Sequence, residues 1–456
     1  MSRIRFEWNV ESQQVERFDS EDPRAKRRRR RNMLLLVALV CMLLAAIALG
    51  LMFVRQRIHE VETLFAQLLQ DTIKAEVAAL RIGDLNSFLN VQNRDDADWI
   101  NRQRLMFQRY SDLKTGGAIE LTGSILAVDI DGERARALVQ ENINELPYTR
   151  LWFYRRSGEG WQHIAPDRSF WGEESAVESA SVLVHYRTVD QEFARQVSAV
   201  LQDWITRGCK FLDCGDLPRL IVDIVPEAAD AATWIDEPAL HLQIRSPYSD
   251  IARADTPFDG PLQLLVSRMV AERLVNEHTG YLTAAYPHDV HFLKGAAIAW
   301  LSEVFTRLDS GAALMRSLAE NYGDDKIAQL LTQLSATSDM SIIEAVVDEP
   351  LEGADLDWRD FIEWRLRLES ELINTDRQNE WLSLYDTSDE NARLAAYDRY
   401  NRSAAASDYR VIDQLVWSTP NGWPQLRATV QVRGEGSVAD EIILFNLVNS
   451  VWKRAN

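Results

Sequence analysis

The chain has 456 residues, of which 46% are hydrophobic and 9% aromatic, enough for the packed cores of about three domains and too apolar for a disordered stalk. Its net charge of −19 is unevenly spread: residues 1–32 hold ten Lys+Arg against six Asp+Glu, which leaves −23 on the remainder. So acidic a remainder excludes nucleic acid as a partner and argues against docking on anionic lipid.

Residues 1–32 form a basic tail. Within it Ile4, Phe6, Trp8 and Val10 alternate as a short strand on a partner would, but the polar composition with Pro23 favours a disordered tail. Lys26 and Arg27 to Arg31 directly precede Met33 to Val54, which contains no charge, no Pro and one Gly. As a helix these residues span about 33 Å, enough for the ~30 Å apolar layer of a bilayer. A signal peptide is the competing reading. It fails because the basic cluster starts late and the run ends Leu51-Met52-Phe53-Val54 with no small-residue cleavage site. The expectation is a single-pass cell-membrane protein, N-terminus cytoplasmic and bulk extracytoplasmic, since basic residues mark the inner side. Such a tail is also the place for a cytoplasmic partner.

From Arg55, apolar residues at Ile58, Val61, Phe65, Leu68, Leu69, Ile73, Val77 and Leu80 predict an amphipathic helix that Gly83 ends. Asp84 opens a short second helix, and a third covers Trp99 to Leu113. The period then falls to two. Strands are predicted over Ile119–Ile130, Arg134–Ile143, Tyr148–Arg156 and Trp161–Ile164, with turns at Asp131-Gly132 and over 157–160. Helices followed by an antiparallel meander give an α+β unit over 55–173. The segments LRIGDLNSFL (80–89), GSILAVDIDGERARALVQ (123–140) and LWFYRRSGEGWQHIAPD (151–167) resemble the NTF2-like, cone-shaped superfamily. Enzymes of that family place an Asp or His in the cone mouth. Here Asp129, Asp131 and His163 fall at turns or a strand end, and Trp152, Phe153, Tyr154 and Trp161 read as core.

Residues 174–352 begin at a boundary over 176–181. A strand at Val182–Tyr186, a helix over Asp190–Ile205, and strands LIVDIV (220–225) and LHLQI (240–244) follow. Five helical patterns then cover Pro261–Asn276, Val290–Leu308, Leu314–Tyr322, Lys326–Leu334 and Ser341–Val347. The strand and helix of VLVHYRTVDQEFARQVSAVLQDW with AAIAWLSEVF (296–305) resemble gluzincin-type peptidases of the MA clan. In these, an H-E-x-x-H helix gives two zinc ligands and the general base, and a later W-L-S-E-G helix gives a Glu ligand. Trp300-Leu301-Ser302-Glu303 matches the second element, with Val304 in place of Gly. The preceding helix, PLQLLVSRMVAERLVNEH, has no such His pair. The resemblance therefore implies a degenerate domain without cofactor. His288 and His291 with Glu303 are the one alternative metal set, weighed against a solvent-facing helix start; Glu277-His278 is weaker. Cys209 and Cys214 form either a local disulfide or two free thiols, and Cys41 lies in the apolar run.

Residues 353–456 repeat the order of the first unit. Helices at 357–373, 377–386 and 389–404, with Ser388 as N-cap, precede strands at Tyr409–Ser418, Gln425–Arg433, Asp440–Leu447 and Val451–Arg454. Turns are expected at Pro420-Asn421-Gly422 and Gly434-Glu435-Gly436. Trp452-Lys453-Arg454 stands where the first unit has Trp161-Gln162-His163, which reads as a second NTF2-like unit. No nucleophile elbow, P-loop, dinucleotide fingerprint, EF-hand loop or C-x-x-C occurs. The whole reads as an anchored binding or assembly protein, leaning away from enzyme, with protein or peptide partners outside. The alternatives are a transmembrane sensor and an atypical zinc metallopeptidase.

Overall fold

Between Pro23 and Gly83 the sequence offers no helix breaker beyond Gly50. The computed structural model describes residues 23–158, 160–283, 288–402, 408–418, 424–434 and 437–456, and there this stretch is one helix, α1 (Pro23–Ile82). Pro23 opens it, where a missing N–H costs nothing, and Gly83 closes it at φ +77°. The expected span and amphipathic helix are thus one rod about 90 Å long. It is the one helix among the described residues long and apolar enough to cross a membrane. The alternation at 4–10, Glu159, Pro287 and the residues of the two turns at 420–422 and 435–436 lie outside the described residues.

Asp84 and Asp96 cap α2 (Leu85–Asn90) and α3 (Ala97–Thr115) by accepting from the backbone N–H groups of Ser87 and Trp99. Strands β1 (Ile119–Asp131), β2 (Arg134–Ile143), β3 (Leu146–Ser157) and β4 (Gly160–Ile164) form an antiparallel meander. Alternation gives the sheet two apolar faces. Ala135, Ala137, Val139, Trp152, Tyr154 and Trp161 pack on the helices, whereas Leu151, Phe153 and Ile164 join the central core. The register of β1 slips between Glu120 and Ser124, where Gly123 has φ +66° and a Cβ would stand 2.9 Å from Val77.

The central sheet has the order β5-β6-β7-β9-β8, from β5 (Glu174–Glu178), β6 (Val182–Arg187), β7 (Leu220–Val225), β8 (Ala232–Asp236) and β9 (His241–Arg245). β6, β7 and β9 run parallel and both edges antiparallel, with α4 (Gln191–Leu212) as the β6–β7 crossover. β5 runs over part of the expected boundary at 176–181, as far as Glu178, where exposed polar residues suit an edge strand. A two-residue strand, β10 (Ala252–Arg253), pairs with Thr149 and Tyr148 of β3 and ties the first two parts together.

Buried Asp190 makes the same connection, accepting from Trp171 Nε1 at 2.7 Å and from the Ser246 hydroxyl. Burial pushes its carboxyl up from 3.8 to about 6. Between those values the folded chain keeps a proton that the unfolded chain has lost. This contribution to stability is therefore full below about pH 4 and disappears as pH rises through about 6. Asp190→Asn should gain on the wild type in urea midpoint as pH rises across that window; a difference independent of pH would contradict the assignment.

Helices α5 (Gly260–His278), α6 (Asp289–Thr306), α7 (Ala313–Tyr322), α8 (Asp324–Gln333) and α9 (Ser341–Val347) complete the central part. Gly208 lets α4 approach them: a Cβ there would lie 2.6 Å from Leu274 Cδ1 and 3.0 Å from Phe305 Cζ. Gly208→Val should cost about 1–3 kcal/mol by overpacking, read as a lower urea midpoint at unchanged slope. Gly295→Ala, with open space around it, should not.

The last part consists of α10 (Arg359–Asn374), α11 (Gln378–Ser383), α12 (Glu390–Arg402) and the meander β11 (Asp408–Ser418), β12 (Pro424–Gly434), β13 (Ser437–Val448), β14 (Val451–Arg454). Asp389, not Ser388, caps α12 by accepting from Asn391 N–H at 2.8 Å, since the Ser388 hydroxyl is held by Asp386. Phe292 of α6 packs on Phe361 and Trp364 of α10, so the central and last parts share one continuous core. The chain is thus α+β with three sheets and, among the described residues, twelve α-helices.

Candidate functional site

On the apolar face of α1, Leu69, Ile73 and Leu80 are spaced as core residues, and Glu76 occupies the slot between them, fully buried. Three side chains surround its carboxylate. Gln92 Nε2 donates to Oε1 at 2.8 Å, Tyr154 Oη donates to Oε2 at 3.2 Å, and His163 Nδ1 lies 2.8 Å from Oε1. Burial, and then the charge of Glu76, hold the Tyr154 phenol well above its usual value, so it stays a donor. A carboxylate only accepts, which places a proton on His163 Nδ1. The ring is stacked on Tyr154 at 4.9 Å and packed against Trp99 and Trp152.

Beside His163 lies a cavity of about 340 Å³ between α3 and β3–β4. Trp99, Gln103, Met106 and Arg150 wall it with Trp152, and Ser249 and Asp250 of the central part close one side. Gln103 is 4% exposed and its Oε1 has no hydrogen-bond partner; Arg150 Nε is likewise unmatched. An amide oxygen so buried forfeits about 1–3 kcal/mol unless something donates to it. Trp152, Phe153, Tyr154 and Trp161 are core as expected, and two of them double as cavity wall.

The last part repeats this backbone arrangement with different side chains. His163 pairs in parallel with Gln92, its N–H bonded to Val91 O and its C=O to Asn93 N–H. Arg454 pairs in the same way with Tyr385, bonded to Leu384 O and Asp386 N–H. Glu369 of α10 takes the place of Glu76, and Arg454 Nη1 donates to it at 2.5 Å. Where the first unit stops at an imidazole beside a cavity, the longer guanidinium closes a buried ion pair. Strand parity was the available signal: His163 and Arg454 each lie two residues after an inward Trp, hence on the inner face.

The other candidates disperse. His288 is the exposed N-cap of α6, His291 lies in its first turn and Glu303 in its last, so about 18 Å of helix separates His291 from Glu303. Glu303 is held by Arg316, Nε to Oε1 and Nη2 to Oε2 both at 2.8 Å, which spends the carboxylate. On α5, the Ser267 hydroxyl meets that of Ser302 at 2.5 Å. Glu277 pairs with Arg273, and His278 bonds Leu212 O and Thr332. Cys209 and Cys214 are disulfide-bonded with Cα atoms 4.8 Å apart, and Cys41 is free.

No family model, curated protein or solved structure matches this chain. The site is read from its own geometry.

One further cluster escaped sequence reading because its members come from three strands. His185 Nδ1 and His241 Nε2 approach the two oxygens of Asp223 at 2.9 and 2.8 Å on the open face of the central sheet. Among the described residues no group of three or more His, Cys, Asp or Glu is placed to hold a metal ion.

Proposed function

We propose that this chain is a membrane-anchored, extracytoplasmic binding protein in which two NTF2-like modules flank a catalytically degenerate peptidase-like domain. The observation that supports it is where unmet polar capacity lies. In the central helices Glu303, the one residue that matches a zinc ligand of the resembled peptidases, is spent on Arg316. In the first module His163, Gln103 and Arg150 border a cavity walled by tryptophan, and Gln103 Oε1 and Arg150 Nε have no hydrogen-bond partner. That lining suits a small planar molecule with a donor for Gln103 and an acceptor for Arg150, whose guanidinium also reaches Glu141 at 3.4 Å, and the volume is of ligand size. Exposed edge strand β5 offers an extended peptide a place on the central sheet.

The test is titration of the full chain in lipid nanodiscs with benzoate and indole-3-carboxylate, followed by tryptophan fluorescence. Saturable quenching that Gln103→Leu abolishes is expected. Its absence for both acids would refute the small-ligand reading, and chelator-sensitive peptide hydrolysis would refute the degenerate one.

A second reading, a transmembrane sensor, draws on Glu76 lying on the same unbroken helix as the apolar span. It requires that residues 1–32 hold a cytoplasmic partner; a tail replaceable by any basic sequence without effect excludes it.

A further inference from the structure

Between the apolar run and the first module, α1 has a stretch that covers nothing. Val54, Ile58, Val61 and Leu64 are 54%, 52%, 47% and 51% exposed. The stripe acquires cover from its own chain only at Phe65, which Trp161 and Arg156 flank. Bare apolar side chains on a helix in water are a cost that a partner removes.

The spacing states what kind of partner. Val54, Ile58, Val61, Phe65 and Leu68 recur at intervals of four, three, four and three. That is the seam of a heptad repeat, with Ile58 at an a position and Val54 and Val61 at d. Beyond Leu69 the buried series Leu69, Ile73, Val77 advances by four, the pattern of packing on this chain's own sheet. The helix thus changes phase where its partner changes.

Charge supports the same partner. In this frame Arg57 is at g and Glu62 at e of the following heptad, the two positions that meet across a parallel two-stranded coil. Both side chains are exposed. A second copy supplies the opposite charge at each end of the pair, and an antiparallel neighbour does not.

We propose that residues 54–64 form a parallel coiled-coil contact with the same segment of a second copy, a stalk dimer on the outer edge of the membrane. The proposal rests on α1 crossing a bilayer, which gives two copies one direction and one height. About fifteen ångströms of seam would be marginal between free helices. Here it is part of a 60-residue helix, and confinement to a membrane raises the effective concentration.

Disulfide trapping of the full chain in native membranes tests this, in a Cys41→Ala background, with single cysteines at Val54, Ile58, Val61, Gln56 and Thr63. Cross-linked dimer should be several-fold more abundant at 54, 58 and 61 than at 56 and 63, which face away in the heptad. Arg57→Glu and Glu62→Arg should each lower the yield at Val61→Cys, and together restore it. A flat profile, no dimer, a maximum at 56 and 63, or a double reversal without rescue would each overturn the proposal. Retention of the chain after carbonate washing reads the anchor separately. Its loss would remove the membrane premise and the stalk with it, whereas a retained chain with a flat profile would refute the stalk alone.

Discussion

Glu369→Ala is expected to destabilise the last unit by about 3–5 kcal/mol, the cost of leaving a buried guanidinium without its acid. Arg454 is 1% exposed and Glu369 is 2% exposed, so water does not replace the missing partner. Tyr385 aggravates the loss, since its hydroxyl lies 3.4 Å from the same Glu369 oxygen. Removing both charges together, Glu369→Met with Arg454→Met, should recover most of the stability, because the desolvation of both ions is then no longer required. Pulse proteolysis across a urea series, scored on fragments from residues 353–456, separates the two outcomes. Equal loss in single and double variants would show that the pair matters through shape rather than charge.

Glu76→Ala is expected to have an effect of similar size on the first unit, by a different route. No ion pair of the Arg454 kind is broken there. Instead the side-chain donors of Gln92, Tyr154 and His163 lose a common acceptor in a site without solvent, at about 1–3 kcal/mol each. Glu76→Gln keeps the volume but cannot accept from all three, so a smaller loss follows, together with a change at His163. In the wild type, Nδ1 carries the proton; in Glu76→Gln the amide no longer enforces that tautomer. Imidazole nitrogen shifts in the full chain, assigned with His163→Gln, measure this. An Nδ1–H tautomer retained in Glu76→Gln would disconnect the ring from the acid.

Much of this was legible in the sequence, for reasons particular residues make plain. The helices that cap on Asp84 and end on Gly83 follow from local chemistry, as does the first meander, whose period-two alternation turns at Asp131-Gly132. The order of three helices and a four-stranded meander recurs as read, and the Trp161 and Trp452 strands correspond, with β10 added to the first sheet. The site was less legible. Glu76 stands 87 residues from His163 and meets it only after the sheet folds back over α1. Arg316, which takes up Glu303, lies on the next helix, where sequence gives no reason to pair them. β10 is two residues long, too short for periodicity to register. The shared core of Phe292 and Phe361 depends on how two helices cross, which no local pattern encodes.

The unbroken course of α1 also sets a height. From Val54, where the apolar run stops, to Leu69, its first fully buried residue, the helix advances about 22 Å. With no glycine or proline in that interval, the first module cannot fold down onto headgroups or swing freely on a tether. Under the proposed anchoring, the cavity beside His163 is held at a near-constant distance from the bilayer. Molecules that reach it must then come from the layer a few nanometres above the lipid, and anything embedded in the membrane lies out of its range.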